Sequence, residues 1–233
     1  MKLAIIDTGC ANLASLAFSL ERLGFKAFIS DDEKELENAD KLFLPGVGTA
    51  AKAIQSLEVK NLISLIKNTQ KPLLGICLGM QILGRFSQEF HQKTLGIMDF
   101  ETLKFKEKQG FSLPHMGWND IKISDLKQEK SQILAQNKAK NLTQNDKAKS
   151  TAKNISNQNF IKVNPLFKGL DGAYFYFVHS YCVPLNEFSL AKCDYSESFS
   201  AALAKDNFYG VQFHPERSGE AGELLLRNFI KEI

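Results

Sequence analysis

The stretch PLLGICLGMQ, residues 72–81, sets a single cysteine, Cys77, between Gly75 and Gly79 where a short apolar run ends and a helical pattern begins. The run 72–77 opens with proline and is rich in leucine and isoleucine, the signature of a buried strand. A helix is expected over 81–86. Ligands of open α/β sheets gather at the carboxyl ends of strands, so Cys77 would stand at such an end with its side chain directed away from the sheet. A cysteine at a sharp strand-to-helix turn is the thiol counterpart of the nucleophile elbow. Flanking glycines permit close packing that larger side chains would block. The helix after it offers unpaired N–H groups and the positive end of its dipole to a sulfur anion. Taken alone, the pattern also fits a structural cysteine in a glycine-containing turn.

The same alternation extends on both sides. Apolar runs at 2–7, 25–30 and 41–45 read as strands, and residues 12–23 and 50–66 repeat apolar side chains at helical spacing. Strands alternating with helices predict an α/β fold with an open, mostly parallel central sheet and flanking helices. Beyond about residue 97 the rhythm becomes strands joined by short turns, at 100–105, 119–123, 173–181, 188–195, 199–205 and 208–213. Antiparallel strands are therefore expected in the C-terminal half, closed by an amphipathic helix at 222–230. The whole chain, 1–233, is expected to form one domain, interrupted by a segment of different character. Residues 125–159 are rich in lysine, asparagine and glutamine and lack any aromatic side chain. Such a composition buries too little apolar surface to offset the entropy of ordering. It reads as a mobile surface insertion or as a partner-binding arm.

Bulk composition narrows the classes. A net charge of +3 over 233 residues gives no concentrated basic face, so neither nucleic acid nor an anionic membrane is expected as a partner. The N-terminus lacks the long apolar region and small-residue cleavage site of a signal peptide. No window approaches the roughly 18 apolar residues of a membrane span, which makes a cytoplasmic location the expectation. The four cysteines show no zinc spacing or paired motif. Cys10, Cys182 and Cys193 read as small buried hydrophobes. Neither metal nor cofactor is implied.

A nucleophilic thiol needs a base. Of the four histidines, His214 lies at the end of the apolar strand in VQFHPE, 211–216. Proline restricts the residue before it to extended backbone, and in extended chain residues two apart share a side. Glu216 can then turn its carboxylate to one ring nitrogen of His214, holding the tautomer and leaving the other nitrogen to take the thiol proton. His91, His115 and His179 read as structural or surface residues. A Cys77, His214, Glu216 triad implies acyl transfer through a thioester, whose tetrahedral intermediates need an oxyanion hole. The N–H of Leu78 is one expected donor. The turn Leu44-Pro45-Gly46-Val47-Gly48, also following a strand, is a second source or a plain βα loop.

At these residues the sequence resembles the class I, triad-type glutamine amidotransferases, and more narrowly the glutaminase subunits of imidazole glycerol phosphate synthases of histidine biosynthesis. GICLGMQ and HPE carry the broader resemblance. The narrower one rests on DTGCAN (7–12), LFLPGVGTA (42–50), LPHMGWN (113–119), YFVHSY (176–181) and FYGVQFHPERSG (208–219). The resemblance implies that Cys77 attacks the side-chain amide of glutamine, His214 relays protons and Glu216 orients it. It further implies that Gln81 and Glu89 contact the substrate glutamine, that Ser180 and Tyr181 hold it through backbone groups, and that Val47 or Gly48 completes the oxyanion hole after a rearrangement. The implied partner is a (β/α)₈ cyclase subunit in a heterodimer, which uses the ammonia to convert a phosphoribulosyl-formimino nucleotide to imidazole glycerol phosphate and an aminoimidazole carboxamide ribotide. Asn12, Trp118 and Arg217 match positions at that interface, Arg217 standing where many relatives carry lysine. For Trp118, the only tryptophan, a core position is the alternative.

Three other readings compete. The same kind of glutaminase could feed ammonia to a different synthase, such as a sugar amidotransferase. A stand-alone cysteine hydrolase or peptidase would need no partner. A non-catalytic thiol sensor would leave His214 and Glu216 without a role.

Overall fold

The computed structural model describes residues 1–9, 11–123 and 164–233; Cys10 and the polar segment 125–159 lie outside them. The central sheet has seven strands: β1 (Leu3–Ile6), β2 (Ala27–Ser30), β3 (Lys41–Gly46), β4 (Leu73–Cys77), β11 (Ser189–Asp194), β12 (Ser198–Lys205) and β13 (Phe208–Val211), in the order β11-β12-β13-β4-β3-β1-β2. Pairing is parallel from β2 to β13 and antiparallel for β13-β12 and β12-β11. The expected architecture is therefore present, with the antiparallel strands added at one edge.

Side-chain alternation assigns the two faces. On β1, Leu3 and Ile5 enter one core while Ala4 and Ile6 enter the other; on β3, Phe43 faces the first and Leu42 and Leu44 the second. The first face is covered by α1 (Leu13–Arg22) and α6 (Gly219–Glu232), the second by α2 (Glu33–Glu37), α3 (Ala50–Val59), α4 (Ile63–Asn68) and the single turn α5 (Leu78–Gln81). Short polar residues start three of these helices. Asn12, Asp32 and Thr49 each accept a hydrogen bond from the backbone N–H three residues on, satisfying one of the donors every helix start leaves open.

Three elements differ from the sequence reading. The helix expected over 50–66 divides at Asn61, whose φ of 56° is a left-handed conformation that asparagine tolerates better than most residues. Leu57, Leu62 and Ile66 stay buried on both sides of the break, so the apolar spacing hides it. The helix expected over 81–86 is displaced to Leu78–Gln81, and Phe86 lies in β5 (Phe86–Ser87). Here the carbonyls of Ile82 and Leu83 accept hydrogen bonds from Leu95, Ile97 and Met98, which removes the acceptors a continuing helix requires. The strand expected at 119–123 is β8 (His115–Asp120), beginning four residues earlier. The short helix α2 carries too few residues for its period to be read.

Outside the main sheet, β5, β6 (Gln92–Lys93), β7 (Glu101–Lys104) and β10 (Tyr181–Cys182) form a small sheet, and β8 pairs antiparallel with β9 (Tyr174–His179). Beneath this ribbon two histidines are buried and paired. The carbonyl of Tyr181 only accepts, so His179 Nδ1 carries the hydrogen toward it at 2.8 Å, and His179 Nε2 must accept from His115 Nδ1–H at 3.1 Å. Burial lowers the pKa of His115 to about 4; burial, opposed by the bond to Tyr181, lowers that of His179 to about 3. Both rings titrate near 6.5 when unfolded, so below that pH the unfolded chain binds protons that the native state refuses. Stability is then complete above pH 6.5 and falls as the pH drops toward the folded-state values, by about 2 kcal/mol for each ring at pH 5. Urea denaturation at pH 7 and pH 5 reads this directly. An unchanged midpoint excludes a neutral buried pair.

Candidate active site

Cys77 closes β4 with φ 54° and ψ −110°, a left-handed conformation that costs a non-glycine residue roughly 1–2 kcal/mol. The chain reverses there because the following turn is pressed onto β3. A Cβ on Gly79 would stand 1.7 Å from the carbonyl oxygen of Leu44, and one on Gly75 would stand 2.7 Å from that of Gly79. Only hydrogen fits at either position. The two glycines thus let α5 sit against the neighbouring strand, and the cysteine between them takes the strained corner. With only four residues, α5 has little macrodipole; the N–H groups of its single turn are its electrostatic contribution.

His214 follows β13. Its backbone N–H donates to Tyr176 O at 2.9 Å, and its carbonyl accepts from the Ser218 hydroxyl at 2.6 Å. Ser218 Oγ accepts in turn from Tyr176 N at 3.0 Å, so one buried serine ties the histidine to β9. The ring nitrogen Nδ1 lies 2.7 Å from Glu216 Oε1, both side chains being 7% exposed. This contact is made along a different path from the expected one. Residues Pro215–Arg217 form a 3-10 turn, which curls Glu216 back to the imidazole where extended chain was anticipated. The other nitrogen, Nε2, is buried with no hydrogen-bond partner. Burial alone would make the ring less basic, but the Cys77 sulfur and the Glu216 carboxylate outweigh it and raise its pKa to about 10. The imidazole beside Cys77 is thereby held in its protonated form at neutral pH.

A pocket of about 300 Å³ opens over these groups, lined by Cys77, Leu78, Val47, Gly48, Gln81, Glu89, Ser180, Tyr181 and His214 among others. That is at the lower end of the range for small-molecule sites. Gln81 donates both Nε2 hydrogens inward, to Tyr181 O and to Gln212 Oε1, each at 2.9 Å; its Oε1 is what remains for the pocket. Glu89 Oε2 accepts from Ala50 N at 3.0 Å, tying the first residue of α3 to the pocket wall. Tyr181 O accepts from both His179 and Gln81, which fills its two lone pairs, and Ser180 O accepts from Phe105 N. The Tyr181 carbonyl is therefore not open to a substrate, whereas Ser180 O keeps a second lone pair.

The glycine turn lies beside the thiol. Gly46 pairs with Cys77 across β3 and β4, Gly48 adopts φ 89°, and Val47 is 41% exposed. A narrow crevice of about 10 Å³, lined by Ala11, Asn12, Leu16, Pro45, Val47, His214 and Glu216 among others, shares Val47 and His214 with the main pocket. Trp118 is 55% exposed, which excludes the core position; it contacts the Tyr176 ring on the outer ribbon face. Asn12 caps α1 and is exposed, as is Arg217. His91 is also exposed.

Cys182 and Cys193 are buried. Burial, reinforced by the Glu197 carboxylate, pushes the Cys182 thiol up to about 12, and burial with nearby carboxylates also raises that of Cys193. Both remain thiols. Among the described residues no group of histidine, cysteine and acidic side chains is arranged to hold a metal ion, and no helix is long and apolar enough to cross a membrane.

Two residues that the sequence reading left without a role belong to this site, Ser218 and Gln212. Gln212 is buried, with Nε2 3.7 Å from Cys77 Sγ. The signal for it was available: it precedes His214 by two residues, the same same-side relation applied to Glu216.

The family model for glutamine amidotransferase class-I matches residues 4–233. Among curated relatives, the imidazole glycerol phosphate synthase subunit HisH 2 of Campylobacter jejuni (strain RM1221) is 57% identical over 233 residues, covering 100% of both chains, the 125–159 segment included. The HisH 1 subunit of Vibrio vulnificus (strain YJ016) is 46% identical over 237 residues, with 99% and 98% of the two chains covered. Of solved structures, one described as a glutamine amidotransferase superposes with a TM-score of 0.65 at 14% identity, covering 98% of this chain and 97% of that one. A chain of PurLQS from Thermotoga maritima gives 0.60 at 15% identity, covering 99% and 98%. At those identities the likeness is one of fold.

Proposed function

The chain belongs to the class-I glutamine amidotransferase family and, within it, to the HisH subunits of imidazole glycerol phosphate synthase, and from that premise we propose a residue-level mechanism for glutamine hydrolysis and ammonia delivery. The observation that carries it is the alignment of Glu216 Oε1 on His214 Nδ1 at 2.7 Å, with a buried, unpartnered Nε2 on the far side of the ring toward the Cys77 pocket.

The Cys77 sulfur adds to the amide carbon of the glutamine side chain, forming a C–S bond and an oxyanion. His214 Nε2–H donates a proton to the amide nitrogen, the C–N bond breaks, and ammonia leaves a thioester. Water then adds to the thioester carbon as His214 takes its proton, and the C–S bond breaks to release glutamate and the thiolate. Glu216 keeps the imidazole in register throughout. The N–H groups of Leu78 and of Val47 or Gly48 stabilise the oxyanion. Gln81 Oε1 and the free oxygen of Glu89 present acceptors and negative charge to the substrate's α-ammonium.

Ammonia released to neutral water becomes ammonium, which is no nucleophile, so a useful product leaves through a covered route. The crevice beside Val47 and Asn12 has room for a molecule of about water's size. The exposed Trp118 and Met116 on the ribbon suit burial against a cyclase partner. A turn able to withhold one oxyanion donor costs about 10²–10³ in rate, which restrains hydrolysis until that partner docks. Ammonia release by the protein alone is expected to be at least about 100-fold slower than in a mixture with the cyclase and its nucleotide. Glutamine-dependent formation of imidazole glycerol phosphate in that mixture tests the pathway. Equal glutaminase rates with and without the partner would sink the gating, and no product from an active cyclase would sink the assignment.

A further inference from the structure

The geometry points to Gln212 as the side chain that holds the Cys77 sulfur anion in place, with its amide turned the right way round by a hydrogen-bond chain starting at the Tyr181 carbonyl. The inference rests on the reading of Cys77 as nucleophile and adds a donor to it.

An amide side chain can present either its oxygen or its nitrogen to a neighbour, since the two ends are nearly equal in shape. Here the partners decide. Tyr181 O is an acceptor only, so the end of Gln81 that lies 2.9 Å from it is Nε2. The same nitrogen lies 2.9 Å from the Gln212 amide; a donor must meet an acceptor, so Gln212 offers Oε1 there. Its Nε2 is thereby left at 3.7 Å from Cys77 Sγ, where an N–H meets sulfur. No other assignment of the two amides leaves every contact paired. The chain Tyr181 O, Gln81, Gln212, Cys77 is buried at Gln212, which has no accessible surface, and 6% exposed at Gln81. Its backbone is pinned as well, since Gln212 N donates to Ala201 O at 2.9 Å.

The direction of the donor has a consequence. A neutral thiol gains little from an N–H at this distance, whereas a thiolate gains a charge-assisted contact. Gln212 therefore lowers the energy of the anion selectively, beside the cationic His214. Gln81 acts twice, orienting Gln212 with its nitrogen and facing the pocket with its oxygen.

The test is the pH dependence of Cys77 alkylation by iodoacetamide, read by mass spectrometry of the Cys77 peptide, in the full-length protein. Gln212→Met removes the donor while keeping the volume, and the midpoint of the alkylation profile is expected to rise by about one pH unit. Gln212→Glu keeps the shape and the acceptor for Gln81 but turns an oxygen toward sulfur, and the rise is expected to be larger. Gln81→Met releases the orientation without touching Gln212, with a smaller rise in the same direction. In the glutaminase assay with the cyclase and its nucleotide present, kcat is expected to fall about tenfold in Gln212→Met at neutral pH, recovering at alkaline pH, with KM little changed. If one substitution prevents folding, the remaining profiles decide. Midpoints unchanged from wild type in the folded variants overturn the inference, leaving Gln212 a packing residue. A shifted midpoint in a protein that shows no glutaminase activity even when mixed with the cyclase and its nucleotide upholds this contact and overturns the proposed function instead.

Discussion

Cys77→Ser is expected to lower glutamine hydrolysis by about 10⁴-fold or more, and to abolish covalent labelling by a glutamine-derived electrophile such as a chloroketone analogue. The hydroxyl occupies nearly the same space but is a far weaker acid than a thiol, so the anion that His214 and Gln212 are placed to favour does not form. Cys182→Ser serves as the control. Its thiol is buried, and labelling is expected to persist in that variant. Persistence of labelling in Cys77→Ser would show that another group attacks. A companion substitution separates strain from chemistry. Cys77→Gly removes the thiol and also the steric penalty of φ 54°, which offsets the entropy that glycine adds to the unfolded chain, so activity is expected to vanish while the stability read from the urea midpoint changes by no more than about 1 kcal/mol.

Gly79→Ala is expected to cost more than about 3 kcal/mol and to remove activity with it. The added methyl would lie 1.7 Å from Leu44 O, a backbone atom in the middle of a central strand that cannot yield without breaking pairing between β3 and β4. The damage reaches the site because β3 leads into the 45–48 turn and β4 carries Cys77. Gly96→Ala is the comparison. Gly96 has φ 67° and open space around its Cβ direction, so only the conformational penalty of about 1 kcal/mol applies. Equilibrium urea unfolding of the two variants measures the difference, and a Gly79→Ala protein within about 1 kcal/mol of wild type would refute the close-packing account of the GxCxG turn.

Much of the fold was readable from residues 1–81 because parallel strands buried on both faces leave continuous apolar runs, and their helices repeat at a different period. The C-terminal, mostly antiparallel strands were readable from short apolar stretches separated by turn residues. Helix ends were less so. Asn61 breaks a helix whose apolar spacing continues, and the carbonyls of Ile82 and Leu83 are taken by a segment more than ten residues away, a competition no local window contains. The candidate triplet was visible in GxCxG and HPE because each fragment is short and its chemistry local. The Tyr181 carbonyl, Ser218 and Gln212 were not, since their contacts arise from hydrogen bonds spanning 42 to 135 residues of chain.

Periodicity, glycine placement and the HPE triplet are local properties, and they point to an α/β sheet with a cysteine at a strand end and a histidine near its neighbouring acid; the 3-10 turn that joins the last two was not legible in them. Which way two buried amides face, which carbonyl a substrate can use, and whether Trp118 lies in the core or on the surface depend on atoms brought together from distant segments. A hydrogen bond or a steric clash acts over a few ångströms, so those outcomes exist only once the chain has packed.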